Sequence, residues 1–213
     1  TLTVRLFAGK PLSEVSRVAV DGDSRTSVAL LQIVLRDLYG AVPQLEPLPA
    51  GPPPQQLPPG IDAVLLIGDK VVTAAPRLPY QLDLGEAWRL LTGLPFVFAA
   101  WLSPVSSGLG ELPELLRRRR DRNRHRVREL AAAHAGAAGW PAALAEHYLG
   151  TLLRYDIGQR ELKAITTFWS KCQEAGIIGE LRPLRLYRQT ALHEARVAVS
   201  QPTAESIRAG GSH

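Results

Sequence analysis

The stretch Arg17 to Gly40, RVAVDGDSRTSVALLQIVLRDLYG, limits the possible folds more than any other. Val18 to Val20 read as a short buried strand, and Asp21 to Ser24 as a tight turn. From Thr26 onward the apolar residues Val28, Leu31, Val34, Leu35 and Leu38 follow the three-and-four spacing of a helix with one buried face. Gly40 stands where such a helix stops. A strand feeding a turn and then a helix leaves backbone N–H groups unpaired at the helix start, under the positive end of the macrodipole. That arrangement favours a carboxylate or phosphate, and the hydroxyls of Ser24, Thr26 and Ser27 add donors. The same residues also suit simple capping, with Ser24 or Thr26 satisfying the helix and binding nothing. Both readings stand on these residues alone.

The rest of the chain extends the alternation of strands and helices, so the fold class is α/β. Val4 to Phe7 form a strand that Lys10-Pro11 ends, and Leu12 to Val15 make a short helical turn. Prolines from Pro43 onward restrict Val42 to Leu48 to an edge strand. Pro52, Pro53, Pro54, Pro58 and Pro59 then make a stiff, exposed loop. Ile61 to Ile67, IDAVLLI, is a continuous apolar run between Gly60 and Gly68, the pattern of a fully buried parallel strand. Gly68-Asp69 follows at its carboxyl end, where open α/β sheets hold ligands, so Asp69 either faces a cleft or caps a turn. Asp83 with Glu86 is a capping-box pattern for a helix from Leu84 to Leu91, ended by Gly93. Leu94 to Leu102 read as another apolar strand, with Phe96, Phe98 and Trp101 as its bulky members. Beyond Glu111 helices dominate: one to about His134, a second from Pro141 to Leu153 and a third from Gln159 to Ala175. A weaker helical pattern runs from Arg185 to Ile207.

Several function classes lack their signatures. With 213 residues, 46% of them hydrophobic, the chain has enough apolar material for a real core. The single Cys172 excludes an internal disulfide framework and fits a reducing compartment. His125, His134, His147 and His193 are scattered without ligand spacing, so no metal is expected. No Walker loop or dinucleotide glycine fingerprint occurs. Gly22-Asp23-Ser24-Arg25-Thr26 lacks the second glycine of a nucleophile elbow. No apolar run is long enough to cross a bilayer and no signal-peptide pattern opens the chain, so a cytoplasmic protein with no membrane partner is expected.

Basicity is local. Eight arginines and one aspartate lie between Arg117 and Arg128, an excess that outweighs the +5 of the whole chain and leaves the remainder net acidic. Leu112, Leu115, Leu116, Val127 and Leu130 place an apolar stripe on that helix with arginines on its other faces. The segment carries no aromatic for base stacking, so it reads as a solvated helix face with no nucleic-acid partner.

Taken together, the blocks SRTSVALL, DAVLLIGDKVV, DLGEAWRLLTGLPFVFAAW and HYLGTLLRYDIGQRELKAITTFWSKCQEAGII resemble the chorismate dehydratases of the futalosine route to menaquinone. The likeness runs from about Val4 to Ile178. It implies a two-lobed α/β fold like type II periplasmic binding proteins, with helices dominating the C-terminal half and substrate held between the lobes. Residues 1–14 and 95–209 would form a first lobe, 15–94 a second, and 210–213 a tag remnant. The family's first-lobe segment with a Tyr-Leu-Asn block is expected upstream and is not present in this sequence. The implied reaction is the cofactor-free loss of water from chorismate to give 3-[(1-carboxyvinyl)oxy]benzoate. Chorismate, a small dicarboxylate, would meet Ser24, Thr26 and Ser27 in the hydroxyl-rich turn and Gly68 and Asp69 at the cleft, with Phe96 and Trp101 as a wall. The base is either Asp69 or a carboxylate of chorismate itself. The alternatives are an enzyme like the 1,4-dihydroxy-6-naphthoate synthase of the same pathway, and a non-catalytic solute-binding module for a small carboxylate.

Overall fold

A computed structural model describes residues 1–22, 24–49, 55–104 and 108–187. They form an α/β structure with a five-stranded sheet of β1 (Val4–Ala8), β2 (Arg17–Val20), β3 (Gln44–Pro47), β4 (Ala63–Ile67) and β5 (Tyr80–Asp83). Seven α-helices accompany it: α1 (Arg25–Tyr39), α2 (Lys70–Thr73), α3 (Leu84–Thr92), α4 (Leu112–Arg124), α5 (Val127–His134), α6 (Ala142–His147) and α7 (Gln159–Glu174). A 3-10 turn at Leu12–Glu14 stands where the helical turn before β2 is expected. All of these elements belong to one compact unit, Thr1–Leu102 with Leu109–Arg182. The proline loop falls partly, and the helical pattern to Ile207 mostly, outside the described residues.

The strand order is β3-β2-β4-β1-β5. β2 runs parallel to β3 and β4, whereas β1 is antiparallel to both β4 and β5. The sheet is therefore parallel apart from β1. The sequence reading grouped residues 1–14 with a first lobe; β1 is hydrogen-bonded on both sides by strands from within 15–94.

Strand alternation divides the core between the two faces of the sheet. Val4, Leu6, Ala8, Val18, Val20, Ala63 and Leu65 point to the face covered by α1, α3 and α7. Leu30, Leu31, Ile33, Val34 and Leu35 of α1 are fully buried there. At about 1.5–3 kcal/mol for each such side chain, this helix is a major source of cohesion. Gly40, with φ +67°, closes α1 by giving its N–H to the Arg36 carbonyl at 3.1 Å, and Ala41 bonds the Leu35 carbonyl. Phe7, Ala19, Val64 and Leu66 point to the opposite face, which α2 covers in part through Val71.

Two segments differ from the sequence expectation. Leu94 to Leu102 is not a strand: Phe96 and Phe98 join Trp88 and Phe168 in an edge-to-face aromatic cluster. The Trp88 indole N–H bonds the Pro95 carbonyl at 3.1 Å, so this segment packs on α3 and α7 and adds no strand to the sheet. The arginine-rich helix is two helices, broken at His125 and Arg126, where the Arg126 N–H turns back to the Asn123 carbonyl. Leu112 and Leu115 are 48% and 44% exposed, so the expected apolar stripe on α4 is not buried. Its arginines instead form surface ion pairs, among them Arg117 with Glu114 and Asp121, and Arg120 with Asp156.

Candidate functional site

The carboxyl ends of β2 and β4 lie side by side and deliver two turns to the same edge of the sheet. The β2 turn leads into α1. Ser24 adopts extended backbone and caps the helix: its Oγ accepts the Ser27 N–H at 3.2 Å and the Ser27 hydroxyl at 3.0 Å. The Val28 N–H bonds the Ser24 carbonyl. The cap thereby uses the third and fourth N–H groups of the helix start. Among the described residues, the N–H groups of Arg25 and Thr26 and the exposed Thr26 hydroxyl have no protein partner. Ser24 and Ser27 therefore make the cap, and Arg25 and Thr26 leave hydrogen-bond donors at the helix start.

The β4 turn begins at Gly68, whose φ of +71° suits glycine. Its N–H is committed to the Thr3 carbonyl at 2.8 Å, so it contributes a bend and no free donor. Lys70, which opens α2, reaches the buried Asp21 at the end of β2 with its Nζ 2.8 Å from Oδ2. This ion pair ties the two turns together.

Asp69 is exposed at the same edge, and its side chain does not cap α2. Its Oδ1 instead accepts the indole N–H of Trp140 at 2.8 Å. Trp140 packs against Tyr148, with ring centroids 5.2 Å apart, and the Tyr148 hydroxyl lies 2.8 Å from Thr3 Oγ1 at the entry to β1. Ala131, Ala135 and Ala145 complete a small core with Leu2 and Val72 around these rings. Tyr148 opens a π-helical turn, Tyr148–Leu152, and such widened turns recur at functional sites. Gly139, at φ +72°, lets the α5–α6 connection approach Thr73; a Cβ there would come within 3.1 Å of Thr73 Cγ2. The C-terminal helices thus hold one carboxylate oxygen of Asp69.

Asp83 ends β5 and is buried. Burial raises its carboxyl pKa, but the Leu2 N–H at 2.7 Å, the Thr1 amino group at 3.0 Å and the Glu86 N–H at 3.1 Å outweigh that, and the net shift is downward. It acts as the cap of α3, as its spacing from Glu86 implies.

Of the residues singled out in the sequence, Ser24, Thr26, Ser27, Gly68 and Asp69 come together on this edge. Phe96 and Trp101 do not join them. Phe96 belongs to the aromatic cluster beside α3, and Trp101 is 85% exposed on the segment that follows. Asp21, Lys70, Trp140, Tyr148 and Thr3 complete the edge, and the sequence singled out none of them. Lys70 directly follows the Gly68-Asp69 block, a local cue, whereas Trp140 meets Asp69 across 71 positions and Tyr148 meets Thr3 across 145.

Comparison with known proteins adds what geometry alone does not give. Residues 1–174 match the model of a family described as menaquinone biosynthesis. The chain belongs to the menaquinone-biosynthesis family. Within the menaquinone-biosynthesis proteins it is similar to the chorismate dehydratase of Thermus thermophilus, 33% identical over 187 residues. That match covers 78% of this chain and 66% of the Thermus protein, so the chain spans just under two thirds of its relative's length. Among the described residues no helix is long and apolar enough to cross a membrane.

Proposed function

We propose that this menaquinone-biosynthesis protein is a carbon–oxygen lyase of the chorismate dehydratase type, acting in the cytoplasm on chorismate to release water and 3-[(1-carboxyvinyl)oxy]benzoate. The observation that carries the reading is the start of α1, where two backbone N–H groups and the Thr26 hydroxyl remain available beside a cap that is already complete. Such a seat binds one carboxylate of a dicarboxylate substrate and leaves the rest of the molecule near Asp69. The family and the Thermus relative supply the pathway. The proposed architecture is two-lobed, like type II periplasmic binding proteins, with this sheet edge facing the cleft.

The elimination removes the proton from the ring carbon that bears the enol ether, and the neighbouring hydroxyl leaves as water. Formation of the aromatic ring drives the step, and loss of water is redox-neutral, so no electron acceptor takes part. Two groups can take the proton: the Asp69 oxygen that Trp140 does not hold, or a carboxylate of chorismate itself. Asp69→Asn separates them, because only the first mechanism loses turnover while binding persists.

The test is to incubate the protein with chorismate and follow the mixture by mass spectrometry, with binding measured in parallel. Loss of water with formation of the carboxyvinyloxybenzoate supports the lyase. Bound but unchanged chorismate leaves a solute-binding module, and absence of both binding and turnover overturns the proposal. Thr26→Val is expected to weaken chorismate binding by roughly tenfold, from loss of one charge-assisted hydrogen bond. Ser24→Ala chiefly lowers stability, by about 1 kcal/mol, through loss of the cap.

A further inference from the structure

The sheet face opposite α1, α3 and α7 holds a hollow of about 610 Å³ beneath β1, β5 and the segment that joins α2 to β5. We propose that this hollow is a second ligand site, for a small monocarboxylate carrying an aromatic or alicyclic ring. Its volume falls within the range of small-molecule pockets. None of Ser24, Thr26 or Asp69 lines it, so the inference is independent of the function proposed for the α1 turn.

The lining sets the ligand's chemistry. Among the described residues that line it, Arg5 and Arg77 are the ionisable side chains and Gln81 adds an amide. Asp83 stands opposite Arg5 in the β1–β5 register and pairs with it at 3.5 Å, so the unpaired charge that favours an anion is that of Arg77, with Arg5 adding its unused donors. Strand alternation sends Arg5 to this face together with Phe7, away from Val4 and Leu6. Arg5 is poorly satisfied where it stands. Its Nε is buried with no hydrogen-bond partner, and its terminal nitrogens reach Gln81 Oε1 only at 3.4 Å and Asp83 Oδ2 only at 3.5 Å. Those distances are at the outer limit of hydrogen bonding, so a guanidinium with five donors keeps capacity to give. Arg77 is exposed and has no ion pair among the described residues.

Phe7, Val71 and Leu78 supply apolar walls, which a bare inorganic anion would leave unused. The connecting segment is stiffened by Pro76 and Pro79, whose fixed backbone angle lowers the cost of ordering the site around a ligand. Charge at one end and apolar surface beside it call for a ligand with the same division.

Amide NMR of the whole chain with 4-fluorobenzoate as the probe tests this. The expected shifts fall on Arg77, Leu78 and Gln81. Arg77→Gln, at an exposed position, is expected to weaken that binding about tenfold, as the loss of one charge-assisted contact implies. Arg5→Gln should do the same, and 4-fluorobenzamide, which keeps the ring and lacks the charge, should bind the parent more weakly by a similar factor. Inorganic phosphate should bind more weakly than 4-fluorobenzoate because it leaves the walls uncovered. Unchanged affinity in Arg77→Gln, shifts confined to Ser24 through Val28, or phosphate binding as tight as fluorobenzoate would each overturn the proposal. Thr26→Val in the same titration tells the two sites apart, since it is expected to leave the shifts at Arg77 and Gln81 intact.

Discussion

Replacing Trp140 with Phe tests whether the C-terminal helices hold the sheet edge through a single hydrogen bond. The change removes the indole N–H that reaches Asp69 Oδ1 at 2.8 Å and keeps a ring against Tyr148. A hydrogen bond to a charged group contributes about 1.5–3 kcal/mol. Asp69 is exposed, so water takes over as its partner and the loss falls at the lower end of that range. Trp140 itself is only 9% exposed. Its smaller replacement leaves a void costing about a further 1 kcal/mol, less than the 3–5 kcal/mol of a full aromatic-to-Ala change. The expected total is about 2–3 kcal/mol in urea unfolding followed by far-UV circular dichroism. The packing and hydrogen-bond parts separate in a double-mutant cycle with Asp69→Ala, because the void is common to both arms. A coupling of about 1.5 kcal/mol is expected. A coupling below about 0.3 kcal/mol would show that the indole is there for packing and that Asp69 is not held from above.

Two further predictions concern titratable groups. Burial raises the Asp62 carboxyl, but Lys10, the Ser16 hydroxyl and the N–H groups of Ser16 and Arg17 outweigh it and hold it well below the usual carboxylate range. A depressed folded value stabilises at pH values above the unfolded value, near 4, and that contribution is lost as pH falls toward the folded one. Asp62→Asn should therefore be less stable than the parent at neutral pH, with the gap closing below about pH 4; a gap that widens on acidification would refute the assignment. Cys172 is buried on the α1 side of the sheet, and its thiol is pushed up to about 11 by burial. Alkylation by iodoacetamide at pH 8 should be far slower in the native protein than in urea, and equal rates would contradict the packing of α7.

Much of the fold could be read from local pattern. The stripe on α1 has helical periodicity and a glycine at its stop, and the apolar run of β4 is too short for a helix and is bounded by Gly60 and Gly68. β5 escaped notice because Tyr80, Gln81, Leu82 and Asp83 are too few and too polar to signal a strand; among the described residues it pairs with β1 alone. Leu94 to Leu102 misled for the opposite reason. Its composition favours a strand, but Phe96 and Phe98 bury more effectively against Trp88 and Phe168. The site divides in the same way. Ser24, Thr26, Ser27 and Asp69 follow from strand ends and helix starts, which are local features. Trp140 and Tyr148 bind to positions far away along the chain, and no spacing rule announces such partners.

The reversed strand inside the sheet, next to its β5 edge, also bears on the order of assembly. Val4 meets Ile67 and Ala8 meets Ala63, so β1 leaves the ribosome long before its first partner exists. Until β4 arrives, an almost wholly apolar segment has both hydrogen-bonding edges open, the condition under which nascent chains associate with one another. β2, β3 and the helix between them can form a parallel unit earlier, and β4 completes its flank before β1 closes the gap to β5. Polar substitutions of Leu6 or Phe7 should therefore lessen association of the nascent chain, while costing the folded sheet the burial of a fully enclosed side chain.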